Sequence, residues 1–388
     1  MSEKNRLTSV GVNGAPEQSI TFRFSRSRDM EEAFARLGRA EPDTPAIYAR
    51  FGHPSMDALA SVLTTMEGGA RGLCFASGMG AFQTIMHAIV YPGDLVVASS
   101  RLYPGTRKAL ETARDRFGVN VRFVDITDLA SVDHELADGA RLLVAETVSN
   151  PTCVVADVPA LVSRCKHHGV WSAFDNTFAP FMITPITHGA DLVWHSLTKY
   201  ASGHSDCLAG GLVMSRDGAA RFATDVTAAA VELGATMHPP LAEELIARFG
   251  GIMNRYIANS AAAMRLARGF SVFGLPVYYP GIVGSQRRAV FDRVATQAFG
   301  YGGVLSVDLG SADRAHRFVD LLADSGAAMC AVSLGSEHTY ACVPFSTMSK
   351  NASDPLAPEV APGIVRVSAG HDEPERLWQV FDVALCRV

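Results

Sequence analysis

Six short runs of apolar and β-branched residues punctuate the middle of the chain: DLVVAS (94–99), VNVRFVD (119–125), RLLVAET (141–147), VWSAFDN (170–176), DLVWHS (191–196) and GGLVMS (210–215). Most are apolar on successive positions rather than alternate ones, as strands covered on both faces must be. Helix-like stretches separate them. PGTRKALETARDRFG closes on a glycine, and DVPALVSRCKHHG opens on an aspartate suited to capping and also stops at a glycine. This alternation predicts an α/β domain built on a mainly parallel sheet.

The pattern changes on either side. Residues 1–50 show little periodicity and end in TPAIYARFGHP, which predicts an extended N-terminal arm that contacts a neighbouring subunit. Residues 51–240 are expected to form the large domain. Beyond them the long Ala- and Arg-rich stretch LAEELIARFGGIMNRYIANSAAAMRLARGF predicts helix. YGGVLSVDLG then reads as strand, SADRAHRFVDLLADSG as helix, VRVSAGHD as strand and ERLWQVFDVALC as helix, so 241–388 is expected to be a smaller α/β domain. NASDPLAPEVAPG (351–363) reads as a surface loop.

With 388 residues, 48% of them hydrophobic and 19% charged, there is ample material for a sizeable core. A formal net charge of −5 and the lack of a basic run argue against nucleic acid or an anionic membrane surface as partner. No apolar stretch reaches membrane-spanning length, and the N-terminus lacks the apolar segment of an export signal. The expected location is therefore cytoplasmic. Seven cysteines are scattered without a CxxC pair, a distribution suited neither to a disulfide framework nor to a zinc site, and no metal is expected.

Only five lysines occur (Lys4, Lys108, Lys166, Lys199, Lys350), and Lys199 alone follows a predicted strand end, where open α/β sheets place their ligands. Taken singly, it could snorkel to the surface. Ser196 and Thr198 flank it with hydroxyls. FASGMGA supplies a glycine-rich helix start whose amides at Gly78 and Met79 could receive an anion, though packing alone also accounts for such glycines. Asp175 closes an apolar strand and would need a cationic or hydrogen-bonding partner, or would serve as a cap. An amine for an imine, an acid for a pyridinium nitrogen and a cup for a phosphate together describe a pyridoxal 5'-phosphate site. Tyr103 could face the ring.

The blocks YARFGHPSMDAL with MEGG, FASGMGA, GDLVVASSRLYPGT, ETVSNPT, FDNTFAPF, GADLVWHSLTKYASGHSD, AVSLG and VRVSAG resemble, in order, those of the Cys/Met-metabolism (trans-sulfuration, cystathionine γ-synthase-like) family of pyridoxal-phosphate enzymes. The resemblance implies an aspartate-aminotransferase-like fold type I and a homotetramer built as a dimer of dimers. It also implies that Tyr48 and Arg50 grip the phosphate of the adjacent subunit. Gly78, Met79, Ser196 and Thr198 would form the phosphate cup, Asn150 would meet the ring oxygen, and Asp175 would pair with the ring nitrogen. Lys199 would be the Schiff-base lysine and catalytic base, and Tyr103 the stacking ring and a catalytic acid. Ser333 and Arg366 would hold the substrate α-carboxylate, for which arginine's planar fork is suited. The implied reaction is γ-elimination or γ-replacement on a γ-substituted L-amino acid, through a vinylglycine-type intermediate.

Departures from the family pattern gather where substrate choice is expected. His53-Pro54-Ser55 replaces Asn-Pro-Thr, YPGT replaces YGGT, and Gly105 stands where methionine γ-lyases have cysteine, which disfavours that activity. His338 occupies the place of a family glutamate and becomes a candidate substrate contact, TMSK replaces the usual SMTH-like ending, and 234–262 lacks the usual RGL-TL block. These changes point to a specialised substrate, halogenated or leading to an unsaturated product. The alternatives are cystathionine γ-synthase or γ-lyase chemistry, O-acylhomoserine sulfhydrylation, β-elimination, or a catalytically silent scaffold. Intact Lys199, Asp175 and Arg366 argue against the last.

Overall fold

The computed structural model describes residues 8–12, 18–38, 44–347 and 360–388. Most of the expected loop at 351–363 lies outside the described residues. The arm carries a short antiparallel ribbon, β1 (Val10–Gly11) and β2 (Phe22–Arg23). It also contains a helix, Ser27–Gly38, where the sequence suggested only extended chain. Asp29 in its first turn and Arg36 in its last complement the helix dipole, and Glu32 pairs with Arg36 one turn on. The pattern escaped notice because the helix buries only Ala33, leaving Met30 and Phe34 exposed.

Seven strands form the large sheet: β3 (Arg71–Phe75), β4 (Leu95–Ser99), β5 (Asn120–Val124), β6 (Ala140–Glu146), β7 (Trp171–Asp175), β8 (Leu192–Ser196) and β9 (Gly210–Met214). Their order is β3-β9-β8-β7-β6-β4-β5, parallel from β8 to β5, with β9 antiparallel to both its neighbours. The six runs read from sequence correspond to β4 through β9. Consecutive apolar residues serve opposite layers: Leu142 and Val144 face the core shared with Phe82, Ile85 and Phe222, whereas Leu143 and Ala145 face the core shared with Leu59, Leu161 and Val193. Both faces are thus covered by helices, which is why these strands need no polar side.

The second sheet has the order β10-β11-β14-β13-β12, from β10 (Val277–Tyr278), β11 (Val304–Asp308), β12 (Met329–Cys330), β13 (Tyr340–Cys342) and β14 (Ile364–Ser368). Its core gathers Phe270, Phe318, Trp378 and Phe381 over Leu305, Val307, Val365 and Val367. The long helical stretch is two helices, Pro239–Phe249 and Ile252–Val272, parted at Gly250-Gly251. Residue 240 falls inside the first of these, and Leu245, Phe249 and Tyr256 pack into the large-sheet core, while the smaller core begins at Ala262.

Buried hydrogen bonds fasten the two sheets together. The Tyr200 hydroxyl accepts the Gly303 N–H at 3.0 Å, and Asn259 Nδ2 donates to the carbonyls of Ser336 at 2.9 Å and Ala369 at 2.6 Å. Ser306 Oγ donates to the Pro151 carbonyl at 2.7 Å. Tyr200→Phe leaves the buried Gly303 N–H without its acceptor, so chemical denaturation should show a loss of about 1–3 kcal/mol of stability.

Candidate active site

A cavity of about 410 Å³ opens where the carboxyl ends of β6, β7 and β8 meet the second sheet. Parallel pairing sets Glu146 of β6 directly beside Asp175 of β7, and Asp175 beside Trp194 of β8. The turn after β8 then supplies Lys199. Arg366 enters from the second sheet, on β14. Glu146, Asp175, Lys199 and Arg366 thus all line the cavity.

Lys199 Nζ donates to Ser333 Oγ at 3.2 Å. Burial, and after it the Arg366 guanidinium, hold the amine below the usual lysine range. Burial pushes the Asp175 carboxyl up; hydrogen bonds from Thr177, the nearby His195 and the Trp194 side chain oppose that rise. The Thr177 N–H reaches Asp175 Oδ1 at 2.9 Å. Below Asp175 lies a buried polar knot in which His195 Nε2 stands 2.9 Å from Glu67 Oε1, and Asn176 Nδ2 donates to the same oxygen at 2.9 Å.

The helix Gly78–Ile89 points its N-terminus at the cavity. Ser77 caps it by accepting the Gly80 N–H at 3.0 Å, which leaves the first amides, those of Gly78 and Met79, without intrahelical acceptors. A side chain at Gly78 would place its Cβ 2.9 Å from Ser196 Cα, so only glycine lets this helix start close against the Lys199 turn. Ser196 and Thr198 line the same corner. The Thr198 hydroxyl is already engaged, accepting the Ala209 N–H at 2.9 Å and donating to the Ala209 carbonyl at 3.3 Å.

Arg366 is buried. Its Nη2 donates to the carbonyls of Val332 at 2.7 Å and Ser333 at 3.0 Å, and its Nη1 to Asn150 Oδ1 at 3.4 Å, while Nε has no partner. The Arg366 side chain lines the cavity, where an incoming carboxylate could meet its guanidinium. Tyr103 stands at the mouth, 47% exposed, with its ring over Gly105: a Cβ there would lie 2.5 Å from Tyr103 Cε1. Gly105 thus governs where that ring can rest.

Nine of the residues singled out from sequence meet in this cavity: Gly78, Met79, Tyr103, Asn150, Asp175, Ser196, Thr198, Lys199 and Arg366. Ser333 touches Lys199. Tyr48 and Arg50 do not line the cavity of their own chain; Arg50 donates to the Val231 carbonyl at 3.3 Å and lies over the Phe51 ring. His338 also lies outside the cavity lining. Its side chain is 53% exposed and stands 3.8 Å from Glu337, because the loop carrying it is pressed backbone to backbone against Gly370. His53, a departure from the family pattern, is the buried N-cap of helix Pro54–Glu67: Nδ1 accepts the Ser55 N–H at 3.1 Å, and Nε2 faces the Ser19 carbonyl at 3.1 Å. Glu146, Thr177 and Trp194 went unassigned from sequence. Glu146 carried a readable signal, since it closes an apolar strand just as Asp175 does.

A seven-stranded mixed sheet, a smaller second sheet and a lysine and an acid at the carboxyl edge define a pyridoxal-phosphate enzyme of fold type I. The chain belongs to the family described as Cys/Met metabolism PLP-dependent enzymes, whose profile matches residues 3–386. It is 33% identical to methionine γ-lyase of Arabidopsis thaliana over 97% of this chain and 87% of that protein. Cystathionine γ-synthase of Xanthomonas oryzae pv. oryzae, solved with aminoacrylate and cysteine, superposes with a TM-score of 0.82 at 28% identity, covering 88% of this chain and 87% of that one. A Campylobacter jejuni protein named as an O-acetylhomoserine (thiol)-lyase gives a TM-score of 0.87 at 25% identity over 97% and 96% of the two chains, and contains a pyridoxyl-lysine phosphate.

The cavity fits this cofactor: open helix amides and hydroxyls could take its phosphate, Asp175 its ring nitrogen and Lys199 its aldehyde. Only the neutral amine adds to an aldehyde, and the Arg366 charge helps keep Lys199 neutral. Arg366→Gln should therefore move the pH midpoint of cofactor attachment upward, and Arg366→Lys should move it less. Near-violet absorbance after mixing apoprotein with pyridoxal phosphate across pH reads both.

Proposed function

We propose that this enzyme carries out γ-elimination or γ-replacement on an L-amino acid bearing a sulfur or acylated-oxygen substituent at Cγ, the chemistry of the trans-sulfuration group. The observation that carries the reading is Lys199, held 3.2 Å from Ser333 and kept below its usual basicity, in one cavity with Asp175 and the part-unsatisfied Arg366. The names of the relatives support this reading over a halogenated or unsaturated substrate. Gly105 does not by itself separate the chain from methionine γ-lyase chemistry, given 33% identity to a protein of that name.

Bound pyridoxal phosphate supplies an electron sink for negative charge developed at the substrate Cα. The protein's part is to bind, orient and move protons. Arg366, with Ser333 beside it, receives the α-carboxylate and orients the Cα–H bond toward Lys199. Lys199 Nζ would be the base that takes the Cα proton and, only after passing that proton on, the one from Cβ, so that the γ-substituent could leave. The Tyr103 phenol at the mouth lies on the path of the leaving group and can protonate it. Asp175 would keep the ring nitrogen protonated, Asn150 would meet the ring oxygen, and Gly78, Met79, Ser196 and Thr198 would hold the phosphate.

Tyr48 and Arg50 serve the cavity of a neighbouring subunit in this reading. Their position outside their own chain's cavity, on an arm whose helix leaves Met30 and Phe34 uncovered, supports an assembly in which copies exchange arms; the family resemblance makes it a homotetramer.

The holoenzyme is to be offered methionine, cystathionine and O-acetylhomoserine with and without a thiol, and followed for 2-oxo acid, ammonia and new thioethers. Release of oxo acid and ammonia without thiol marks elimination, and thioether formed only with thiol marks replacement. Lys199→Ala should lose both activities along with the near-violet band; turnover of none of the three substrates by the coloured parent overturns the reading.

A further inference from the structure

Glu146 has no part in the chemistry above, yet it sits at the centre of the cofactor cavity. It is the last residue of β6, lines the cavity and is registered against Asp175 on β7. Its Oε1 accepts the backbone N–H of Tyr103, and the Asn150 N–H also donates to the carboxyl. Those two residues belong to separate segments, one opening the helix Pro104–Phe117 and the other in the loop that follows β6. One buried carboxyl therefore binds the turn that carries the ring-facing tyrosine and the loop that carries the ring-oxygen contact to the strand end next to Asp175.

Two adjacent carboxyls withdrawn from water each make ionisation of the other harder. Asp175 has Thr177, His195 and the Trp194 side chain to favour its charge. Glu146 has two backbone N–H groups and, against them, deeper burial and the Asp175 charge itself, which push it well above the ordinary carboxyl range.

We propose that Glu146 is a positioning residue for the cofactor: it fastens the Tyr103 turn and the Asn150 loop on either side of the ring, next to Asp175. The inference rests on Asp175 being the ring-nitrogen partner. Its work is done by an acceptor oxygen at the right reach, so an amide can replace the acid while a shorter acid cannot.

The test is titration of apoprotein with pyridoxal phosphate, read by near-violet absorbance, with circular dichroism to check the fold. Glu146→Ala should weaken cofactor affinity roughly tenfold or more, the scale of one lost buried hydrogen-bonding group. Glu146→Gln should restore most of that loss, and Glu146→Asp should not. If Gln binds as poorly as Ala, a charge rather than an acceptor is needed and the proposal is overturned; an Ala variant that binds like the parent overturns it too. Should the Ala variant fail to fold, Gln against Asp decides by the same criterion. Asp175→Asn is the separate control: cofactor affinity and band unchanged in that variant would overturn the reading of Asp175, whatever the Glu146 variants show.

Discussion

Two acids and two bases share one cavity, and the rest of the site follows from the need to reconcile them. Each of Glu146, Asp175, Lys199 and Arg366 is penalised by burial, so each must be neutral or partnered. Arg366 meets that need with the carbonyls of Val332 and Ser333, Lys199 with a lowered basicity and the Ser333 hydroxyl, Asp175 with Thr177, and Glu146 with the amides of Tyr103 and Asn150. What is left over is a helix start whose first amides lack intrahelical acceptors, suited to an anion. In the proposed function, cofactor and substrate would complete this charge arrangement.

The arrangement is possible because the sheet is parallel from β8 to β5. Parallel strands end together, so Glu146, Asp175 and Ser196 come to one edge although their helical connections separate them widely in sequence. The second sheet then closes the edge with Arg366 and Ser333, held by buried hydrogen bonds of Tyr200, Asn259 and Ser306. Tyr200 directly follows Lys199, so the bond that docks the second sheet also steadies the lysine turn.

Much of the fold was legible. The strands β4 to β9 stood out because strands covered on both faces are apolar throughout. The arm helix Ser27–Gly38 did not, because a helix with little to bury inside its own chain shows no core-facing stripe. The break at Gly250-Gly251 was hidden in a stretch that is helix-prone on both sides. Within the site, Lys199 and Asp175 were found because a charge ending an apolar run is costly. Glu146 bears the same mark at the end of β6, a carboxylate closing an apolar run. His338 was singled out for its place in a motif, and the structure turns it to Glu337 and solvent instead.

The sequence by itself determined the α/β class, the pyridoxal-phosphate cofactor and the family, because burial of strands, the cost of buried charge and the order of motifs are all written residue by residue. Only the tertiary structure decided which groups meet. The pairing of Glu146 with Asp175, the approach of Arg366 to Lys199, the rest position of Tyr103 over Gly105 and the exclusion of Arg50 from its own cavity depend on strand register and on docking between sheets. Those are contacts between residues far apart in the chain, set by how whole layers pack, and no local pattern encodes them.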